Sequence, residues 1–200
     1  MSKKSFKVLF VGNSYTFYND MSEVLFADAA KDKGYNFEVT SVTKGGYHLY
    51  QFADPENQEG KRLRETINDK HYDFAVIQNH SLSAIINQPK FFEGVKDVMS
   101  LISADKFILY ATWGRNDQSE KLCALGITRE EMTNKISLAY NKAAEFYGAT
   151  VAEVGKAFLE FSMTNNKDEL YNPDNSHPSL LGSQIAANEI LKAMEKSYEF

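Results

Sequence analysis

Short runs rich in β-branched and aromatic residues recur along the chain at residues 7–11, 37–42, 74–77, 107–111 and 150–154, and each reads as a strand. Between and after them, at 22–33, 60–68, 91–103, 129–147 and 180–196, apolar residues return every three or four positions, which is the spacing of a helix with one buried stripe. This alternation predicts an α/β fold: a mostly parallel sheet of about five strands covered by helices on both faces, a three-layer α/β/α sandwich. In such sheets, functional residues collect in the loops beyond the carboxyl ends of the strands. No internal repeat, low-complexity tract or Pro/Gly/Ser linker interrupts the pattern, so residues 1–200 are expected to form a single domain.

Composition narrows the function classes. With 43% hydrophobic and 24% charged residues, the chain has the balance of a globular protein that can build an ordinary core. A net charge of -5 argues against nucleic acid as a partner, since phosphate binding draws on clustered Lys and Arg. The single cysteine, Cys123, excludes an intrachain disulfide. The apolar run at 6–11 is interrupted by Lys7 and too short for a signal-peptide core, and no stretch approaches the roughly 20 apolar residues of a membrane span. A cytoplasmic location without membrane association is the expectation. The four histidines include no HExxH pair and no cysteine cluster, so neither a metal nor another cofactor is expected.

Two places carry candidate chemistry. The first strand runs directly into Gly12, Asn13 and Ser14, so Ser14 stands where a strand hands over to a helix. A serine there projects at the sheet's carboxyl edge, and its own N–H can face an oxyanion. Alternatively, it only caps the helix. At the other end, Asp174 and His177 lie three apart on a loop rich in Pro and Asn before the final helix. That spacing lets the carboxylate turn back onto imidazole Nδ1 and fix the tautomer whose Nε2 takes a proton from a serine. Ordinary turn and cap roles, with Ser179 capping the last helix, are the competing reading.

The two segments GNSYT and DNSHPS together resemble the first and last blocks of the SGNH/GDSL hydrolases, and the resemblance spans nearly the whole chain. It implies a flavodoxin-like sandwich and a serine esterase in which Ser14 is the nucleophile, His177 the base and Asp174 its partner. Asn13 replaces the acidic residue usual in the first block, leaving the serine in register. The second block implies a glycine amide as oxyanion donor, for which Gly45 and Gly46 both qualify, with Gly46 preferred. The third block is irregular. The third strand ends in Gln78, Asn79, His80 and Ser81 rather than GxND, so Asn79 is the expected side-chain donor and Gln78 its rival. A literal GxND at 114–117 follows the fourth predicted strand, one too late; Asn116 would take the role only if the strand count were off by one.

Gly45, His48, Gln78, His80, Trp113 and Arg115 also follow strands and are expected to line the substrate pocket, with packing or surface exposure the competing reading for His48, His80, Trp113 and Arg115. By resemblance, the substrate is a carboxylic ester with a short acyl group, for example O-acetyl on a carbohydrate or a small molecule. The different class kept open is a noncatalytic module binding phosphate, a nucleotide or a carbohydrate on the same fold. Neither GxGxxG nor GxxxxGK[ST] is present to support a nucleotide. The sequence leaves the oligomeric state open.

Overall fold

A computed structural model describes residues 5–198 of the chain. Its elements, in order, are β1 (Ser5–Gly12), α1 (Ser14–Phe17), α2 (Phe26–Asp32), β2 (Asn36–Thr43), α3 (Leu49–Ala53), α4 (Gln58–Ile67), β3 (Tyr72–Ile77), α5 (Ser83–Ile86), α6 (Gln88–Leu101), β4 (Ala104–Tyr110), α7 (Glu120–Leu125), α8 (Arg129–Tyr147), β5 (Thr150–Ala152), α9 (Val154–Phe161) and α10 (Leu180–Ser197). The strands form one sheet in the order β2-β1-β3-β4-β5, and every pairing is parallel. The expected α/β sandwich is therefore present. Chain order reverses beside β1, which is flanked by β2 on one side and β3 on the other, and such a reversal opens a crevice at the strands' carboxyl ends.

Alternation along the strands builds a core on each face. Phe6, Val8 and Phe10 of β1, with Phe74 and Val76 of β3, pack against Phe26 of α2, Phe158 of α9 and Ile190 and Leu191 of α10. Leu9 and Val11, with Ala75, Ile77 and Leu109, face Phe52 of α3, Phe91 and Val95 of α6 and Met132, Ile136 and Tyr140 of α8. Each such aliphatic or aromatic side chain, fully withdrawn from water, contributes about 1.5–3 kcal/mol. Together these two layers hold the strand ends, and hence the loops beyond them, in fixed register.

Local physics departs from the pattern in two places. The helix expected over 22–33 is preceded by Asn19 and Asp20, both with positive φ (55 and 54). A right-handed helix cannot pass through that conformation, so the chain turns there, makes a π-helical turn over Met21–Leu25 and only then enters α2. The strand expected over 150–154 ends at Ala152, and Val154 begins α9 instead, fully buried in the first core. Tertiary burial outweighs the β preference of a branched side chain. Among the described residues, no helix is long and apolar enough to cross a membrane.

Candidate active site

The turn after β1 is shaped by close approach. A Cβ at Gly12 would lie 2.3 Å from Thr16 Oγ1 and 2.8 Å from Gln78 Oε1, so only glycine lets these groups meet. Gln78 Oε1 accepts hydrogen bonds from the Asn13 N–H (2.8 Å) and the Thr16 hydroxyl (3.0 Å). Asn13 in turn caps α1, its Oδ1 accepting from the Tyr15 N–H at 3.1 Å. The capping task therefore falls to Asn13, and the Ser14 hydroxyl is left for another partner.

That partner is His177. Its Nε2 lies 2.9 Å from Ser14 Oγ, and its Nδ1 is hydrogen-bonded to Asp174 Oδ2. Asp174 Oδ1 additionally accepts from the backbone N–H groups of Ser176 (3.0 Å) and His177 (2.9 Å). Partial burial pushes the Asp174 carboxyl up, but the bonds from the His177 side chain, the His177 N–H and the Ser176 N–H outweigh it and hold the group below its ordinary value. The loop is a tight hairpin, closed by a bridge between Tyr171 and Pro178 and by the Asn172 N–H donating to His177 O at 2.9 Å. Asn175 takes positive φ (57) at its tip, a conformation asparagine tolerates. The Tyr18 ring stacks on the imidazole at 4.6 Å, and the Tyr15 ring meets it edge-on at 5.6 Å.

These side chains open onto a cleft of about 690 Å³ lined from the loops after β1, β2, β3 and β4 and from the hairpin before α10. Gly45 and Gly46 both line it. They form a turn in which the Tyr47 N–H donates to Lys44 O (3.2 Å), and Gly46 occupies the position needing positive φ (75). Asn13 Nδ2 donates to Tyr47 O at 3.2 Å and ties this turn to the Ser14 loop.

The three amides considered as oxyanion donors differ in what they have left to give. Gln78 is buried, holds the β1 turn with its oxygen and donates Nε2 to Asn79 O. Asn116 donates Nδ2 to Asp168 Oδ1 (2.9 Å), and its N–H bonds to Asn175 O. Asn79 turns its Oδ1 back onto the N–H groups of Leu49 (3.0 Å) and His80 (2.8 Å), which leaves its Nδ2 without a partner among the described residues. Asn79 is itself buried and does not form part of the cleft wall.

Of the residues expected to line the pocket, Gly45, His80 and Arg115 do so. His48 does not: it bonds Ser83 Oγ through Nδ1 (2.6 Å) and stacks on His80 at 4.5 Å, supporting the wall from behind. Gln78 serves the β1 turn. Trp113 is wholly buried, sandwiched between Tyr15 (4.6 Å) and Phe158 (4.4 Å), with Nε1 donating to Ser176 O. An indole of that size between two rings gains more from packing than a cleft could offer. Sequence reasoning gave no role to Tyr15, Ser81 or Ser176, all of which line the cleft. The available signal was adjacency in sequence, of Tyr15 to Ser14, of Ser176 to His177 and of Ser81 to His80. Among the described residues, no group of three or more His, Cys, Asp or Glu is placed to hold a metal ion.

Comparison with solved structures follows from this geometry. A candidate SGNH hydrolase from Slackia heliotrinireducens superposes with a TM-score of 0.82 at 27% identity, over 96% of this chain and 100% of that one. The chain carries the SGNH-hydrolase fold. A DUF4886 family protein from Bacteroides uniformis superposes with a TM-score of 0.79 at 18% identity, over 96% of this chain and 84% of that one. Axe2, an acetylxylan esterase from Geobacillus stearothermophilus, gives 0.68 at 16% identity, covering 97% and 96%. No protein-family model and no curated protein matches the sequence. The resemblance read from the terminal blocks thus coincides with the SGNH fold across the chain.

Proposed function

We propose that the protein hydrolyses carboxylic esters carrying a short acyl group, of the O-acetyl type, through a covalent acyl-enzyme on Ser14. The observation carrying this reading is the 2.9 Å contact between His177 Nε2 and Ser14 Oγ, with Nδ1 engaged by Asp174. Because Nδ1–H is committed to the carboxylate, Nε2 is left to accept the serine proton, and Asp174 stabilises the imidazolium that results. Ser14 Oγ attacks the carbonyl carbon; the collapsing tetrahedral intermediate expels the alcohol, which takes the proton from His177. A water then attacks the acyl-serine by the same proton transfers in reverse order.

For the oxyanion, the donors on the cleft wall are the Ser14 N–H at the start of α1 and the Gly46 N–H, and the third is Nδ2 of Asn79, which lies just behind the wall beside cleft-lining His80. The first N–H groups of a helix have no intrahelical acceptor, and Asn79 is the amide whose nitrogen remains unspent. The esterase named among the structural neighbours is in keeping with the acetyl assignment. The test is hydrolysis of p-nitrophenyl acetate together with labelling by a fluorophosphonate. Wild type should be labelled at Ser14, and Ser14→Ala should lose both label and at least about 10³-fold in turnover. Undiminished turnover in the folded Ser14→Ala protein overturns the reading, and absence of labelling favours a noncatalytic binding module.

A further inference from the structure

The cleft contains a cation that no carboxylate among the described residues neutralises. Arg115 follows β4, is 8% exposed and lines the same cleft as Ser14 and His177. One of its nitrogens, Nη1, donates to Ser176 Oγ, while Nε is buried with no partner and Nη2 has no partner among the described residues. No carboxylate lies within 4.0 Å of the guanidinium among the described residues. Tyr15 cannot serve as counter-ion: burial pushes its hydroxyl up despite the pull of Arg115, so it stays neutral. Withdrawing an unpaired charge from water is costly, so a guanidinium kept in this state implies a partner that arrives from outside.

The surroundings suit an anion. Lys121, exposed at the rim, has no salt-bridge partner among the described residues, and Ser81 and Ser119 add hydroxyls to the wall. The cleft's two carboxylates are disposed elsewhere: Asp174 is engaged by His177, and Glu120 is exposed on the rim. His80, which also lines the cleft, already feels the positive field, its imidazole being pushed down to about 4 by burial first and then by His48, Arg115 and Lys121.

We propose that Arg115 is a specificity residue that receives an anionic group, a carboxylate or a phosphate, carried by the ester substrate, with Lys121 assisting at the rim. This rests on the esterase reading and narrows its substrate class to acylated acidic sugars or similarly charged alcohols. The planar fork of arginine matches either anion, and its one bond to Ser176 fixes the fork beside the residue that precedes His177.

The experiment compares kcat/KM for an O-acetylated methyl glucoside, the matching glucuronide and the matching 6-phosphate, so that the two anions are separated. Wild type should prefer at least one charged ester about ten- to a hundredfold. The charged-to-neutral ratio, taken within each variant so that any general loss cancels, should collapse towards one in Arg115→Gln and recover only partly in Arg115→Lys. In parallel, glucuronate or inorganic phosphate should raise the Tm of wild type but not of Arg115→Gln, a readout independent of turnover. Equal kcat/KM for charged and neutral esters in an enzyme that labels at Ser14 overturns the proposal, as does a ratio unchanged in Arg115→Gln. Should Arg115→Gln not fold, Arg115→Lys and the wild-type Tm shifts decide alone: no shift with either anion overturns it. Failure to label Ser14 with the anion-dependent Tm shift intact removes the esterase reading and leaves the anion site standing.

Discussion

The hydroxyl of Tyr15 lies 2.7 Å from that of Ser176, joining the residue after the proposed nucleophile to the residue before the proposed base. Both groups are buried, Tyr110 donates its hydroxyl to Tyr15 O at 3.2 Å, and Arg115 also reaches Ser176. The pair is a strut between two loops that meet only in the folded chain. Tyr15→Phe should therefore act through positioning: kcat for p-nitrophenyl acetate falls several-fold with KM little changed, and stability drops by about 1 kcal/mol for the lost bond. A change confined to KM, with kcat intact, would refute the strut role.

Asn79→Ala should lower kcat about 10²–10³-fold, the cost of removing one oxyanion donor. Asn116→Ala, which breaks the bond to Asp168, should instead register as a loss of stability in urea unfolding. An equal fall in kcat for the two variants would show that Asn79 has no special part in stabilising the oxyanion.

Removing the carboxylate of Asp174 as Asp174→Asn should cost about 10⁴ in kcat while the fold persists, because the imidazole then loses the group that fixes its tautomer. Combining it with His177→Ala should cost little beyond His177→Ala alone, since the two act as one unit. Multiplicative losses in the double variant would mean that the residues act separately.

His80 gives a pH-dependent stability with a definite sign. Its imidazole titrates near 4 in the folded chain against about 6.5 when unfolded. Between those values the unfolded chain takes up a proton that the folded one refuses, so this contribution is complete above about pH 6.5 and is lost as pH falls towards 4. The depressed Asp174 carboxyl acts lower, losing its contribution only below about pH 4. Urea midpoints measured between pH 7 and 4.5 should decline in wild type and decline less in His80→Gln; parallel slopes would rule the assignment out.

Much of the fold was legible in the sequence because each face of the sheet is buried, which forces apolar residues into strand runs and helix stripes that can be seen without coordinates. The Arg129–Tyr147 helix matches its expected bounds, with a Thr128–Glu131 capping box at its start and Gly148 in the left-handed region at its end. The short helices α3, α5 and α7 escaped, being too brief to show a period. At the proposed site, Ser14, Asp174 and His177 could be singled out by residue type and loop position, and the fold brings their side chains together. The environment of Trp113 was not legible, since its ring partners Tyr15 and Phe158 lie far away in the chain, and only the sheet order, for Tyr15 of α1, and the packing of α9, for Phe158, bring them to it. Likewise, which amide keeps a free nitrogen depends on backbone groups such as the Leu49 N–H, whose direction no residue pattern encodes.

The hairpin closed by Tyr171 and Pro178 carries both Asp174 and His177. Asp174 and His177 are thus held together by local contacts, and a single long-range docking of the hairpin, rather than two, brings both to Ser14. Damage to that hairpin would disconnect both groups at once, so loss of the site should be all-or-none rather than graded.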